Sequence, residues 1–149
     1  MKPAPPHWPR LSSALFYDDP AAAIDFLERA FGFETRLRVE GEDGTIEHSE
    51  LTYGESLVMV AGTRRGAGPT EGVCSPQAIG GRNTQSLFLY IDDADAHCAR
   101  ARAAGATILT PPKDSDYGED YWADRGYEAR DLEGHRWWFA HRVRTGGQP

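Results

Sequence analysis

The chain has 149 residues, of which 40% are hydrophobic, 26% charged and 11% aromatic. This composition is typical of one globular domain and excludes a disordered, coiled-coil or collagen-like chain. No stretch approaches the ~20 apolar residues of a transmembrane helix, and prolines interrupt the N-terminal segment where a secretory signal would be apolar. The net charge of −7 disfavours binding to nucleic-acid phosphates. We therefore predict a cytoplasmic protein that binds neither nucleic acid nor membranes.

The first half of the chain begins with a strand and a helix. Residues 11–17 are apolar and aromatic enough for a strand, and the Asp-Asp-Pro sequence at 18–20 is a typical helix start. Gly32 supplies the end of the helix. Asp25 and Glu28 fall on the predicted solvent side. The large apolar residues at helical spacing, which we expect to be buried, are Ile24, Leu27 and Phe31.

Three strands and a long connection follow this helix. The segments 34–40, 45–53 and 56–62 are rich in alternating apolar residues and are separated by glycine turns. Residues 62–83 contain many glycines and show neither helical nor strand periodicity, so they form either a lid or a plain linker between two halves.

The second half repeats the pattern of the first. A shift of 74 residues places the Asp pair at 18–19 on the pair at 92–93, and a helix at 94–105 follows. Three more strand segments lie within 106–143. The repeat predicts an α+β fold of two βαβββ modules, whose four-stranded mixed sheets curve around a concave cavity, a natural ligand site.

The modules span about residues 11–61 and 84–143 of a single domain, 1–149.

Three segments of the sequence resemble a known family. They are, in chain order, LFYDDPAAAIDFLERAFGFE, YIDDADAHCARARAAGA and YWADRGYEARDLEGHRWWF. Together they resemble the vicinal oxygen chelate superfamily, which holds glyoxalases, extradiol dioxygenases, fosfomycin-resistance enzymes and bleomycin-resistance proteins. The resemblance implies the paired-module fold and a homodimer, because bleomycin-resistance proteins build their sites across a dimer.

Enzymes of that superfamily usually hold a divalent metal with four His or Glu side chains. At the corresponding positions this chain has residues that cannot ligate such a metal, and a shift of one residue brings no carboxylate or imidazole. Glycine-rich nucleotide-binding motifs are also missing. We therefore expect no metal and no cofactor. The four positions are Ser12, Val58 or Met59, Ser86 and Trp138.

Two histidines and two cysteines are candidate chemical groups. His48 and Glu50 are two residues apart on one strand, so they either bind a proton or a ligand amine together or form an ordinary exposed pair. His135 follows a glycine turn, where it caps a strand or acts in catalysis. Cys74 and Cys98 have no neighbouring base and no CxxC spacing, which favours two reduced apolar residues.

Seven aromatic residues lie between positions 117 and 139, interleaved with carboxylates. This pattern suits a small planar aromatic or cationic ligand. Trp138 is the expected stacking surface, since the corresponding position faces the cavity in the family's enzymes, and Trp137 then faces the core. Trp122 is expected to close over the ligand. The predicted ligand-binding set is Trp138, Trp122, Tyr121, His48, Glu50, Ser12, Ser86 and Met59.

Three functions remain open at this point. The first is a metal-free small-molecule binding protein similar to the bleomycin-resistance proteins, which sequesters a drug or metabolite and confers antibiotic resistance. The alternative is a metal-dependent lyase or dioxygenase of the same superfamily with unusual ligands such as His48 and Glu50. The third is an interaction or regulatory module that keeps the fold without chemistry.

Overall fold

A computed structural model describes residues 1–63 and 72–147. The described segments contain eight strands in two modules of the same order. The first module consists of β1 (Ser13–Tyr17), α1 (Pro20–Phe26) with a π turn (Leu27–Phe31), β2 (Glu34–Glu40), β3 (Ile46–Tyr53) and β4 (Ser56–Gly62). The second consists of β5 (Leu87–Tyr90), α2 (Ala94–Ala103), β6 (Thr107–Asp116), β7 (Ala123–Arg130) and β8 (Arg136–Arg144).

Each module builds one mixed sheet with the same topology. Sheet A has the strand order β1-β4-β3-β2, and sheet B has the order β5-β8-β7-β6. The β1–β4 and β5–β8 pairs are parallel, whereas the other neighbours are antiparallel. The predicted α+β fold of two βαβββ modules is confirmed. No helix in the described part of the chain is long and apolar enough to cross a membrane.

The 74-residue repeat holds at the level of single residues. Strands β1 and β5 begin 74 residues apart, as do helices α1 and α2. Asp19 accepts a hydrogen bond from the backbone N–H of Ala22 at 3.0 Å, and Asp93 accepts one from Ala96 at 3.0 Å. These carboxylates satisfy N–H groups that the first helical turn leaves without partners. The same local chemistry therefore starts both helices.

The apolar side of the first helix is buried as predicted. Ile24 is 2% exposed, and Leu27 and Phe31 are fully buried. The helix widens into a π turn over its last residues and ends at Gly32, whose φ of +79° is the left-handed conformation that glycine favours.

Glu28, predicted to face solvent, also has a structural role. Its carboxylate accepts hydrogen bonds from the backbone N–H and the hydroxyl of Thr35, at 3.2 and 2.7 Å.

The helix-covered sides of the two modules share one core. The ring of Phe31, from the first module, lies 5.4 Å from Trp137 and 4.7 Å from Phe139, both on β8. His97 of α2 joins the modules through hydrogen bonds to the Tyr127 hydroxyl at 2.6 Å and the Phe31 carbonyl at 3.0 Å. Burial lowers the pKa of His97, which favours the neutral ring. Its Nε2–H then donates a hydrogen bond to the Phe31 carbonyl, and its Nδ1 accepts one from the Tyr127 hydroxyl.

Carboxylates in the turn between β7 and β8 tie the modules together. Asp131 accepts hydrogen bonds from the Tyr17 hydroxyl at 2.6 Å and from Trp137 Nε1 at 3.1 Å. Glu133 accepts the backbone N–H groups of residues 18 and 19 at 2.7 and 2.8 Å. The sequence pattern suggested that these acids border a ligand. They are instead buried and bonded within the fold.

The predicted connection at 62–83 is described only in part. Residues 64–71 lie outside the described residues, and so does much of the predicted lid or linker. The remainder contains a short 3-10 helix, Pro76–Ile79. This helix is attached to the β7–β8 turn, because the N–H of Gln77 donates to the Glu133 carbonyl at 3.0 Å.

Candidate functional site

The helices cover only one face of each sheet. On β8, Trp137 and Phe139 are 1% and 0% exposed against the shared core, whereas Trp138 between them is partly exposed. On β3 and β4, Leu51 and Val58 are buried in the core, whereas their neighbours Glu50 and Met59 point to the other side. We call these helix-free sides the open faces of sheets A and B.

Aromatic side chains collect on the open face of sheet B. Trp138 has Phe88 of β5 and Glu128 of β7 as its register neighbours. Phe88 is 57% exposed, and its ring lies 5.1 Å from that of Tyr90, which is 48% exposed. The structure therefore places Trp138 off the core, among exposed rings. We call the group Phe88, Tyr90, Trp122 and Trp138 the aromatic face.

Trp122 and Tyr121 lie at one end of this face. The Trp122 ring is 5.6 Å from Tyr117 and 6.2 Å from Tyr121, and the Arg142 guanidinium lies 5.3 Å from its centroid. Arg142 and Trp138 are four residues apart on β8, a separation of about 13 Å in a strand. Trp122 therefore borders the Arg142 end of the aromatic face.

Arginines neutralise the acids beside the aromatic rings. Asp124 and Glu128 are 7% and 4% exposed, and they pair with Arg142 and Arg136 respectively. Arg142 also contacts the Tyr90 hydroxyl. The expected border of carboxylates around a cationic ligand is thus largely compensated. This charge balance favours a neutral planar ring over a cation on the aromatic face.

The open face of sheet A carries a polar network that includes three predicted positions. His48 Nε2 lies 3.1 Å from Glu50 Oε1, and Glu50 stands opposite Met59 in register. Arg36 Nε and a terminal guanidinium nitrogen lie 2.8 and 2.6 Å from Glu50 Oε2. Burial alone would raise the pKa of Glu50, but the hydrogen bonds from His48 and Arg36 outweigh it and lower the pKa. Glu50 is therefore an ionised, buried acceptor and not an exposed surface group.

Sequence reasoning missed Arg36. A register shift between Thr35 and Leu37 leaves Arg36 unpaired in the β2–β3 ladder and brings its side chain to Glu50. Strict alternation along β2 gives no sign of this irregularity. The alternation of apolar and polar residues therefore could not predict that Arg36 contacts Glu50.

Ser12 and Ser86 line a different place, a cleft of about 440 Å³ between the beginnings of β1 and β5. Val58 and Trp137 also line this cleft. The hydroxyl oxygen of Ser12 is buried without a hydrogen-bond partner. The structure thus divides the predicted set into three groups: the aromatic face, the Glu50 network and this cleft.

The residues present do not fit the divalent metal of the superfamily's enzymes. Within residues 1–63 and 72–147, no group of three His, Cys, Asp or Glu side chains is placed so that it could hold a metal ion. The best pair, His48 and Glu50, shares its carboxylate with Arg36, whose fixed positive charge opposes a bound cation. The donor set therefore offers two ligands at most where a tetrahedral or octahedral ion needs more.

His135 and His141 make hydrogen bonds to the backbone that serve the fold. His135 Nε2 donates to the Phe16 carbonyl at 3.0 Å, which matches the strand-capping interpretation. His141 Nδ1 accepts the Ala94 N–H at 3.0 Å, at the start of α2. Cys74 and Cys98 are free thiols, and Cys98 is buried in the core.

Comparison with known proteins gives a consistent result. Residues 11–139 match the family model of the Glyoxalase/Bleomycin resistance protein/Dioxygenase superfamily. The uncharacterized protein Rv0887c of Mycobacterium tuberculosis (strain ATCC 25618 / H37Rv) is 34% identical over 141 residues, which cover 91% of this chain and 76% of Rv0887c.

Two solved structures are similar across nearly the whole chain. TioX from Micromonospora sp. ML1 is 36% identical, with a TM-score of 0.67 and coverage of 91% of this chain and 99% of TioX. TnmS3, an antibiotic binding protein from Streptomyces sp. CB03234, is 20% identical, with a TM-score of 0.62 and coverage of 89% and 93%. At this lower identity the second likeness concerns the fold alone.

Proposed function

Because the chain belongs to the Glyoxalase/Bleomycin resistance protein/Dioxygenase superfamily, we propose that it is a metal-free small-molecule binding protein. Its ligand is a planar aromatic compound that stacks on the aromatic face of sheet B. The observation that carries the proposal is the exposure of Phe88, Tyr90 and Trp122, at 57%, 48% and 38%, beside Trp138. Exposed apolar clusters of this kind mark binding surfaces more often than inert ones.

Two further observations support this function over catalysis. Asp124 and Glu128 are paired with arginines and Asp131 is bonded within the fold, so none of these three acids is free to act as a general acid or base beside the rings. TnmS3, which has the same fold, is an antibiotic binding protein. A drug or a drug-like metabolite held by sequestration is therefore the class of ligand that we propose.

A ligand titration tests the proposal. Acridone and proflavine are planar three-ring compounds that differ in charge, and tryptophan fluorescence reports their binding. We expect Trp138→Ala to weaken binding of acridone by about fivefold or more, which corresponds to the ~1 kcal/mol of an aromatic pair. Leu132→Ala is the matched control, because Leu132 is an apolar side chain, 42% exposed, in the β7–β8 turn.

Three outcomes would contradict the proposal. The first is a failure of both compounds to bind the wild-type chain at millimolar concentration. The second is equal binding by wild-type and Trp138→Ala protein. The third is one equivalent of zinc, nickel, iron or manganese in protein purified without chelator, which would favour the metal-dependent lyase or dioxygenase and make His48, Glu50 and His135 its first suspected ligands.

A further inference from the structure

The N-terminal segment folds back onto sheet A. The N–H of Trp8 donates to the Pro5 carbonyl at 3.1 Å, and Arg10 donates to the Lys2 carbonyl at 2.8 Å, so the segment closes on itself as a loop. Trp8 is partly buried. We call residues 1–10 the leader. The leader is held in this position by contacts with sheet A.

Arg36 is the point of attachment. One terminal nitrogen of Arg36 donates to the His7 carbonyl at 2.5 Å, and the guanidinium carbon lies 5.1 Å from the centroid of the Trp8 ring. Nε and the other terminal nitrogen contact the Glu50 carboxylate. Arg36 therefore offers three separate recognition elements: an edge for a carboxylate, a donor for a carbonyl oxygen and a flat surface for an aromatic ring.

The leader adopts a strained conformation at this contact. His7 has a φ of +63°, and it is the one residue other than glycine with positive φ in the described part of the chain. Such a backbone is disfavoured for residues that carry a Cβ and persists where surrounding contacts compensate it. The hydrogen bond from Arg36 to the His7 carbonyl is one of the contacts that hold this backbone.

Space for a ligand lies directly beside the leader. A cavity of about 520 Å³ is lined by Trp8, Pro9, Arg36, Thr52 and Leu57. The neighbouring cleft of about 440 Å³ shares Pro9 and Leu57 as lining residues. Pro9 of the leader therefore borders both cavities.

We propose that Arg36 and this cavity form a second binding subsite, for an aromatic group that carries a hydrogen-bond acceptor oxygen. The Trp8 ring and the His7 carbonyl occupy the subsite as an internal surrogate of that ligand. The leader therefore competes with the ligand and controls access to sheet A. The contacts that define this subsite involve none of the residues of the aromatic face, so it stands or falls separately from the function proposed above.

The strength of this competition is set by the effective concentration of the Trp8 ring at the subsite. A tethered group on a short flexible segment acts at an effective concentration in the millimolar range. A free ligand of the same chemistry must overcome that concentration in the wild-type chain. It does not need to do so when the tethered ring is removed.

N-acetyl-L-tryptophanamide is the probe, because it presents an indole ring and carbonyl oxygens as the leader does. Its affinity is measured by ligand-observed NMR for the full chain and four variants. We expect Trp8→Ala to bind the probe at least about fivefold more tightly than wild type. Lys2→Ala, a substitution in the same segment that keeps the Trp8 ring, should bind as wild type does. Trp8→Ala combined with Arg36→Lys should lose the gain, since lysine retains the charge beside Glu50 but has no flat guanidinium surface.

The proposal is overturned if Trp8→Ala binds the probe no more tightly than wild type, or if the gain survives Arg36→Lys. The first result stands even if Arg36→Lys fails to fold. Trp138→Ala separates the two proposals: when it is added to Trp8→Ala, the gain should remain. Loss of the gain in that double variant would mean that the probe binds the aromatic face and that the subsite at Arg36 is wrong.

Discussion

Single carboxylates hold the β7–β8 turn and the end of β1 together. One oxygen of Asp131 accepts the N–H groups of residues 133, 134 and 135, and the other accepts Tyr17 and Trp137. Burial, followed by the charge of Asp131, raises the pKa of Tyr17 well above its usual value, so the phenol stays protonated and donates. Both oxygens are therefore saturated with donors, which leaves no room for a second role.

Asp131→Asn is predicted to destabilise the fold. An amide has one acceptor oxygen, so either the backbone N–H groups or the side chains of Tyr17 and Trp137 lose their acceptor. Leaving a buried donor unpaired costs about 1–3 kcal/mol. Urea unfolding should show a loss in this range for Asp131→Asn and a change below about 0.5 kcal/mol for Asp25→Asn, an exposed carboxylate on α1. Equal effects of the two substitutions would contradict this role.

At the scale of whole elements, the repeat was the most informative feature of the sequence. Local rules placed both helix starts, because an N-cap carboxylate acts on residues two and three positions away. The irregular register of β2 could not be predicted in the same way. It depends on how β2 meets β3, so the contact between Arg36 and Glu50 has no local signature.

The first helix offers a direct test of its predicted phase. Leu27→Ala should cost about 2–5 kcal/mol, because Leu27 is fully buried in the shared core and the substitution leaves a cavity. Asp25→Ala should cost less than about 0.5 kcal/mol. Glu28→Ala is not a neutral control, since the carboxylate holds Thr35 and its loss should cost about 1 kcal/mol. Equal losses at positions 25 and 27 in chemical denaturation would show that the phase is wrong.

His97 makes the joint between the two modules sensitive to acid. Burial lowers its pKa, so the unfolded chain binds this proton more readily than the folded chain. The contribution of the neutral His97 ring to the free energy of unfolding is full above the pKa of histidine in the unfolded chain, about 6.5. It decreases as the pH falls below that value. We expect the free energy of unfolding to fall between pH 7 and pH 5, by at most ~1.4 kcal/mol per pH unit for this group. His97→Gln should reduce that slope, and an unchanged slope would assign it to other groups.

The arrangement of the whole molecule follows from which faces share a core. The alternation of residues along the strands predicted which side chains of each sheet are buried. It placed Trp137 in the core and Trp138 on the opposite face, as the structure has them. It could not tell that both helix-covered sides meet in a single core, because such contacts join residues far apart, such as Phe31 and Phe139. With the core in the middle, each open face is left without a cover from its own module's helix. Exposed apolar residues remain there, including Leu37 at 41% and Phe88 at 57%.

A homodimer is the arrangement that we predict for these faces. A second copy that sets its sheet B against sheet A of the first would cover both apolar surfaces and enclose a ligand site from two chains. Light scattering should give a mass of about 33 kDa at micromolar concentration, twice the 16.5 kDa of the chain. The double substitution Leu37→Asp and Val39→Asp adds charge to exposed positions of β2 and should give a folded monomer of half that mass. Leu132→Asp, at an equally exposed leucine of the β7–β8 turn, should remain dimeric. A stable wild-type monomer, or a dimer that tolerates both charges on β2, would contradict this pairing of the open faces.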